Sequence, residues 1–237
     1  MSQDISPQRL SAIAFARWIV PGALLDELSL SREFLGYLNA NVGVQQSFTL
    51  RTHTLCVMDC FEKHFAQRPG LSARERGLFR LFLALHDIGK PLAIKAGDKR
   101  WQHRFTVDLL TRTRGFYPVD DVEFADWIAL VDGDPLGAYL KGEMGAAAAG
   151  EQVRKMASRS SLPFTEFCRR LMMYYQCDVS AYTRRAGLMG ALDGLFEWDA
   201  SGEIRFDPER ELLVFAPRVS ALLAGLAPDD LKIERPA

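Results

Sequence analysis

The chain has 237 residues, of which 48% are hydrophobic and 25% charged, with 29 Lys and Arg against 30 Asp and Glu. That composition belongs to a folded chain able to bury a core without disulfide staples, and it excludes a mostly disordered one. A net charge of −1 argues against a protein that coats nucleic acid by bulk charge, although it leaves room for a local basic patch.

Helical periodicity dominates the pattern. Pro7 to Val20 places Leu10, Ile13, Ala14, Trp18 and Ile19 on one stripe and predicts a first helix. The apolar run from Ile13 to Leu25 is cut by Arg17 and Pro21 and follows no basic segment, so neither a signal peptide nor a membrane span is expected. Leu28 to Leu38 predicts another helix, with Ser29 or Ser31 as its cap, and Thr49 to Phe65 a long one. Cys56 and Cys60 stand one turn apart in the latter. With Cys168 and Cys177 they form no C-x-x-C pair, which reads as buried thiols in a reducing cytoplasm rather than a zinc site. Pro69-Gly70 closes that element, and Ser72 with Glu75 three residues on predicts a capping box. Arg74 to Asp87 is then apolar almost all round from Leu78 to Leu85, the mark of a helix at the centre of its domain.

Gly89-Lys90-Pro91 ends that helix, and Lys95 to Arg100 reads as a basic, Gly-containing loop. Asp98 is a cap candidate for a helix through His103 to Arg112. Gly115 to Pro118 predicts a turn, Val122 to Val131 a helix, and Gly133 to Gly150 an irregular stretch with a short helix. Glu151 to Ala157 and Phe164 to Arg185 read as helices. Phe196 to Phe206 alternates apolar and polar residues around Ser201-Gly202, a hairpin signature, and Glu209 to Leu226 predicts a closing helix. The expected fold class is therefore all-α with a small C-terminal β-hairpin and closing helix. Residues 1–45 form a helical flank, 46–193 the main helical domain, and 194–237 a tail packed on the same unit. That tail could cover the mouth of a site or mediate self-association.

The chain has four histidines, His53, His64, His86 and His103. His86 and Asp87 follow the greasiest run of the sequence, where an unpaired polar pair is costly to bury. A divalent ion removes that cost, since imidazole and carboxylate both ligate such ions. Adjacent side chains on a helix diverge by about 100°, so one ion takes both most easily at a helix end, which Gly89 and Pro91 provide. The plain alternatives are a capping Asp and a satisfied core histidine. His53 could likewise be a core residue, and Asp178 a surface one, although Arg184 and Arg185 stand too far along a helix to pair with it.

The order His53, then His86-Asp87, then Asp178 resembles the HD-domain superfamily of metal-dependent phosphohydrolases. In that family a His, a later His-Asp pair and a distant Asp sit on separate helices of a bundle. The string His86-Asp87-Ile88-Gly89-Lys90-Pro91 is the most specific part, and the likeness covers roughly residues 46 to 193. The resemblance implies a site for one or two divalent ions (Mn, Fe, Mg, Ni, Co or Zn) on His53, His86, Asp87 and Asp178. Dinuclear members add two His ligands. His103 stands where the first would be, and Asp132 stands where the second would be a His. The implied activity is hydrolysis of a phosphoester by a metal-activated water, with Asp87 at the reacting centre. Lys90, and Lys95, Lys99 and Arg100 on the following loop, would meet the phosphate. The expected substrate is a nucleotide or related small phosphorylated molecule. Nucleic acid is less favoured by the near-zero net charge. The other readings are a di-iron oxygenase, which Asp132 weakens, and a degenerate domain that binds a nucleotide or a partner without turnover.

Overall fold

The computed structural model describes residues 5–43, 47–182 and 194–226. The molecule is mostly helical, with a two-stranded antiparallel hairpin and a closing helix near its C-terminal end. Among the described residues no helix is long and apolar enough to cross a membrane.

The N-terminal part holds α1 (Pro7–Ala14), α2 (Pro21–Leu28) and α3 (Arg32–Leu38). Ser6 caps α1, its hydroxyl accepting from the Arg9 N–H at 3.3 Å, and Pro7 suits the first turn because it lacks a donor there. The helix expected to run from Pro7 to Val20 instead stops at Ala14, and Pro21 opens α2. A buried arginine holds the break. Arg80 Nη1 donates to the carbonyls of Ala14 at 2.9 Å and Ala16 at 2.6 Å, groups that an ending helix leaves without partners. Its Nε and Nη2 pair with both oxygens of Glu62, each at 2.7 Å. One side chain on the central helix thus neutralises a neighbour and shapes the N-terminal flank. The cap expected at Ser29 or Ser31 is Ser31, ahead of α3, and Ser29 follows α2.

The centre of the fold is α4 (Leu50–His64), α5 (Ala73–Leu85) and α11 (Phe164–Ser180), with α4 packed against both others. Thr49 caps α4 by accepting from the Thr52 N–H at 3.2 Å. Ser72 and Glu75 form the expected capping box, each side chain accepting the other's N–H, at 3.2 and 2.9 Å. From Gly77 to Leu85 every residue of α5 is buried, as its apolar circumference requires.

After α5 the chain turns through His86 to Gly89 and enters α6 (Lys90–Lys95), which the sequence reading left as a helix end and a loop. A 3-10 turn at Lys99–Trp101, capped by Asp98, leads into α7 (Gln102–Arg112). Gly89 is where α7 crosses. Its N–H donates to Thr106 Oγ1 at 3.1 Å, and a Cβ there would stand 2.2 Å from the Thr106 nitrogen. Then come α8 (Asp121–Val131), α9 (Pro135–Leu140) and α10 (Ala146–Ala157); α9 is the short helix expected within Gly133 to Gly150, and α10 begins at Ala146, ahead of the expected Glu151. Asp126 on α8 accepts from Ser160 Oγ at 2.7 Å and Ser161 N at 2.7 Å, tying α8 to the approach to α11. Residues 183–185, the last of the helix expected to end at Arg185, lie outside the described residues.

In the tail, Trp198 bridges Ile204 across the expected Ser201-Gly202 turn. Strand β1 (Phe206–Asp207) then pairs antiparallel with β2 (Leu212–Leu213), Phe206 opposite Leu213. The helix expected from Glu209 begins only at Pro217, as α12 (Pro217–Leu226). Leu213 and Phe215 both face inward, a period of two that suits extended chain and not a helix. Gln176 of α11 holds this segment: its Nε2 donates to the Leu213 carbonyl at 2.9 Å, and its Oε1 accepts the Leu213 N–H at 3.0 Å.

Gly89→Ala forces α7 off the turn after α5 and is expected to cost about 1–3 kcal/mol of stability. Urea denaturation read by circular dichroism measures this. An unchanged midpoint would mean that α7 does not press on Gly89.

Candidate metal centre

Three helices deliver the four residues. His53 lies one turn into α4, fixed by the Thr49 cap. His86 and Asp87 occupy the turn that leaves α5, where the backbone no longer holds neighbouring side chains at helical spacing. Asp178 lies in the last turn of α11. One ligand atom from each of His53, His86, Asp87 and Asp178 falls within 4.8 Å of all the others, so the group can hold a metal ion.

The contacts are those of an electron-rich cage. His53 Nε2 is 2.9 Å from Asp178 Oδ1 and 3.4 Å from Asp87 Oδ2. His86 Nε2 is 3.4 Å from the same Asp178 oxygen and 4.0 Å from the same Asp87 oxygen. Yet neither ring nitrogen of His53, fully buried, makes an aligned hydrogen bond. Closeness without alignment fits groups that direct lone pairs at a shared cation. The His86 tautomer fits as well. Its Nδ1 lies 2.7 Å from the Leu83 carbonyl, which can only accept, so Nδ1 carries the hydrogen and Nε2 is the ligating nitrogen.

Titration reflects the same crowding. Burial pushes His53 below its ordinary pKa, more strongly than Asp178 and Asp87 raise it. His86 is buried too, but the Asp178 and Asp87 carboxylates outweigh that and raise it. Burial alone would raise Asp178; the His53 and His86 rings against it hold it well below the carboxylate range instead. Asp87 is also lowered, burial being outweighed chiefly by the Lys90 charge. Aromatic rings close the cage: Tyr182 packs 4.7 Å from the His53 ring and Tyr174 5.4 Å from the His86 ring.

Lys90 belongs to this centre. Its ammonium is buried, donating to Asp87 Oδ2 at 2.6 Å and to the Tyr182 hydroxyl. Burial would lower Lys90, but Asp87, Tyr182 and Asp178 together raise it, so it stays charged. The sequence reading had it pointing at a phosphate from a helix end; the start of α6 turns it inward onto Asp87. The other loop cations point elsewhere. Arg100 pairs with Asp98 two residues away at 2.7 Å, and Lys99 Nζ approaches the Gly43 carbonyl at 3.4 Å. Lys95 lines an open surface groove with Arg32, Tyr37 and Leu92.

A narrow cleft opens off the centre at Asp178, whose side chain keeps 26% of its surface exposed. His103, Gln102, Asp134, Tyr174 and Tyr175 line it with Asp178. His103 therefore reaches the neighbourhood expected of it, outside the four-residue group itself. Asp132 does not: it turns outward and pairs with Arg159. Two residues on, Asp134 faces the cleft, its Oδ1 accepting the Gly137 N–H at 2.8 Å. Burial raises the Asp134 carboxyl, and the Asp178 charge adds to the shift. Asp134 is not among the residues the sequence pattern marks for the site. The signal available was Asp134-Pro135, an N-cap residue followed by the residue best suited to a helix's first position.

Comparison with family models, with curated proteins and with solved structures finds no match to this chain.

Titration of Mn²⁺ by calorimetry is expected to show Asp178→Asn and His53→Ala weakening the ion by more than about tenfold, with Asp132→Asn leaving it unchanged. The His86 proton, held above its ordinary value of about 6.5, competes with the ion for Nε2. Affinity should therefore fall as pH drops through that range, and binding should release a proton, seen as a heat that depends on the buffer. An affinity flat from about pH 6 to 8 would count against His86 as a ligand.

Proposed function

We propose that this protein is a metal-dependent hydrolase of phosphoesters, acting on a nucleotide or a related small phosphorylated molecule. The observation that carries the reading is the convergence of His53, His86, Asp87 and Asp178 from three helices onto one buried point. It joins, in space, the His, His-Asp and Asp that resemble the HD-domain superfamily in order. Two imidazoles and two carboxylates suit Mn, Fe, Co, Ni or Zn better than Mg, which prefers oxygen ligands and water. Such an ion, when bound, supplies a hydroxide at neutral pH and polarises a phosphoryl oxygen.

The chain's own residues do the rest. Lys90 holds one oxygen of Asp87 and keeps its proton, which places a fixed positive charge beside the reacting centre. The His86 ring is oriented by the Leu83 carbonyl, so its ligating nitrogen needs no reorganisation. His103 and Gln102 in the cleft offer hydrogen bonds to phosphoryl oxygens. Tyr174 and Tyr175 line the same cleft and would offer an aromatic wall to a substrate that widens it. A second ion would find His103 and Asp134 in the cleft, whereas Asp132 is paired with Arg159.

The test is turnover of bis-p-nitrophenyl phosphate, p-nitrophenyl phosphate and nucleoside mono-, di- and triphosphates by the Mn-loaded protein. Asp87→Ala is expected to lose both metal and turnover. Lys90→Met is expected to keep its metal, because Asp87 is freed rather than removed, while kcat falls about a hundredfold. Turnover that persists in metal-free Asp87→Ala would overturn the reading.

A further inference from the structure

A phosphate entering the cleft needs a positive charge there, and most nearby cations are committed. Lys90 is bound to Asp87 and Tyr182, Arg159 to Asp132, and Arg100 to Asp98. Lys99 and Lys95 lie on the Gly43 and Arg32 side of α6. Lys141 differs. It directly follows α9, whose first turn Asp134 caps at the cleft. Its Nζ stands 3.7 Å from Asp134 Oδ2, and its side chain is 63% exposed. A loose pair at that separation and exposure is worth little, so leaving it costs little. Asp134 also keeps a partner when Lys141 leaves, since the Gly137 N–H engages the other carboxylate oxygen at 2.8 Å.

The charges agree with this geometry. A divalent ion balances Asp87 and Asp178, Lys90 adds one positive charge, and Asp134 and Lys141 cancel. The loaded site is then positive by one, and without Lys141 it is neutral. We infer that Lys141 is the cation that receives the substrate's phosphate at the cleft beside the metal centre, swinging from Asp134 to the phosphoryl oxygens as the ester binds. His103 and Gln102, on the wall they share with Asp134, complete the anion's contacts. The inference rests on the hydrolase reading, and it assigns to the end of α9 the phosphate contact that the sequence pattern assigned to the loop after α6.

The experiment uses the full chain loaded with Mn²⁺ and inorganic phosphate as the probe. Broadening of the phosphate ³¹P resonance by the bound Mn²⁺ gives its Kd at the centre. Lys141→Ala is expected to weaken phosphate about tenfold, and Lys141→Arg to restore most of that. Lys95→Ala, Lys99→Ala and Arg100→Ala should leave it unchanged. Phosphate affinity should also fall more steeply with ionic strength in the wild type than in Lys141→Ala. Equal affinity in wild type and Lys141→Ala overturns the inference and leaves the hydrolase reading standing. So does an Asp134→Asn variant that loses phosphate together with a second equivalent of Mn²⁺, because the cleft's cation would then be an ion. Absence of broadening in the Mn-loaded wild type overturns it as well, and ester turnover in the same sample shows whether the hydrolase reading falls with it.

Discussion

Two carboxylates, two imidazoles and an ammonium meet at the end of the most apolar helix of the chain, and their mutual compensation is the constraint on which the structure turns. Each of these groups alone would be costly in that place. Together they compensate one another because α4, α11 and the turn from α5 into α6 bring them within hydrogen-bonding and ion-pair distance. The surrounding helices can be understood as the frame for that meeting. The Thr49 cap sets His53, the turn after Leu85 releases His86 and Asp87 from helical spacing, and Gly89 lets α7 close over that turn. Tyr174 and Tyr182 exclude water, which strengthens every charge interaction inside.

The arrangement has two electrostatic states. Without an ion, the Lys90 ammonium and a His86 ring whose proton affinity is raised answer the carboxylates. An ion bound there would displace any proton from His86 Nε2 and leave the Lys90 charge in place. Lys90 therefore keeps the centre from being purely anionic in either state, and this explains its inward direction better than a role at the surface would.

What could be read in the sequence was what is local. The string from His86 to Pro91 carries its own chemistry, and the long apolar periods of α4, α5 and α11 announce themselves, so the three elements bearing the cluster were legible. The misses have long-range or short-range causes. The break after Ala14 is held by Arg80, 66 residues away, which no local pattern encodes. Helix α6 has six residues, too few to display a period. Whether Asp132 or Asp134 faces the cleft depends on the backbone at Gly133, whose φ of 137° only glycine adopts readily, and on the cap of α9. The direction of Lys90 and the dispersal of Lys95, Lys99 and Arg100 follow from α6 being a helix at all.

The side-chain amide of Gln176 takes the place of a neighbouring strand for Leu213, meeting both its N–H and its carbonyl, two residues before Asp178. A tail attached by that double bond is mechanically in series with the helix that carries a ligand. The hairpin and the end of α11 then open as one cooperative unit, and anything that grips Asp178 slows hydrogen exchange at Leu213. The tail would then report an ion at the centre, although none of its described residues belongs to the four-residue group.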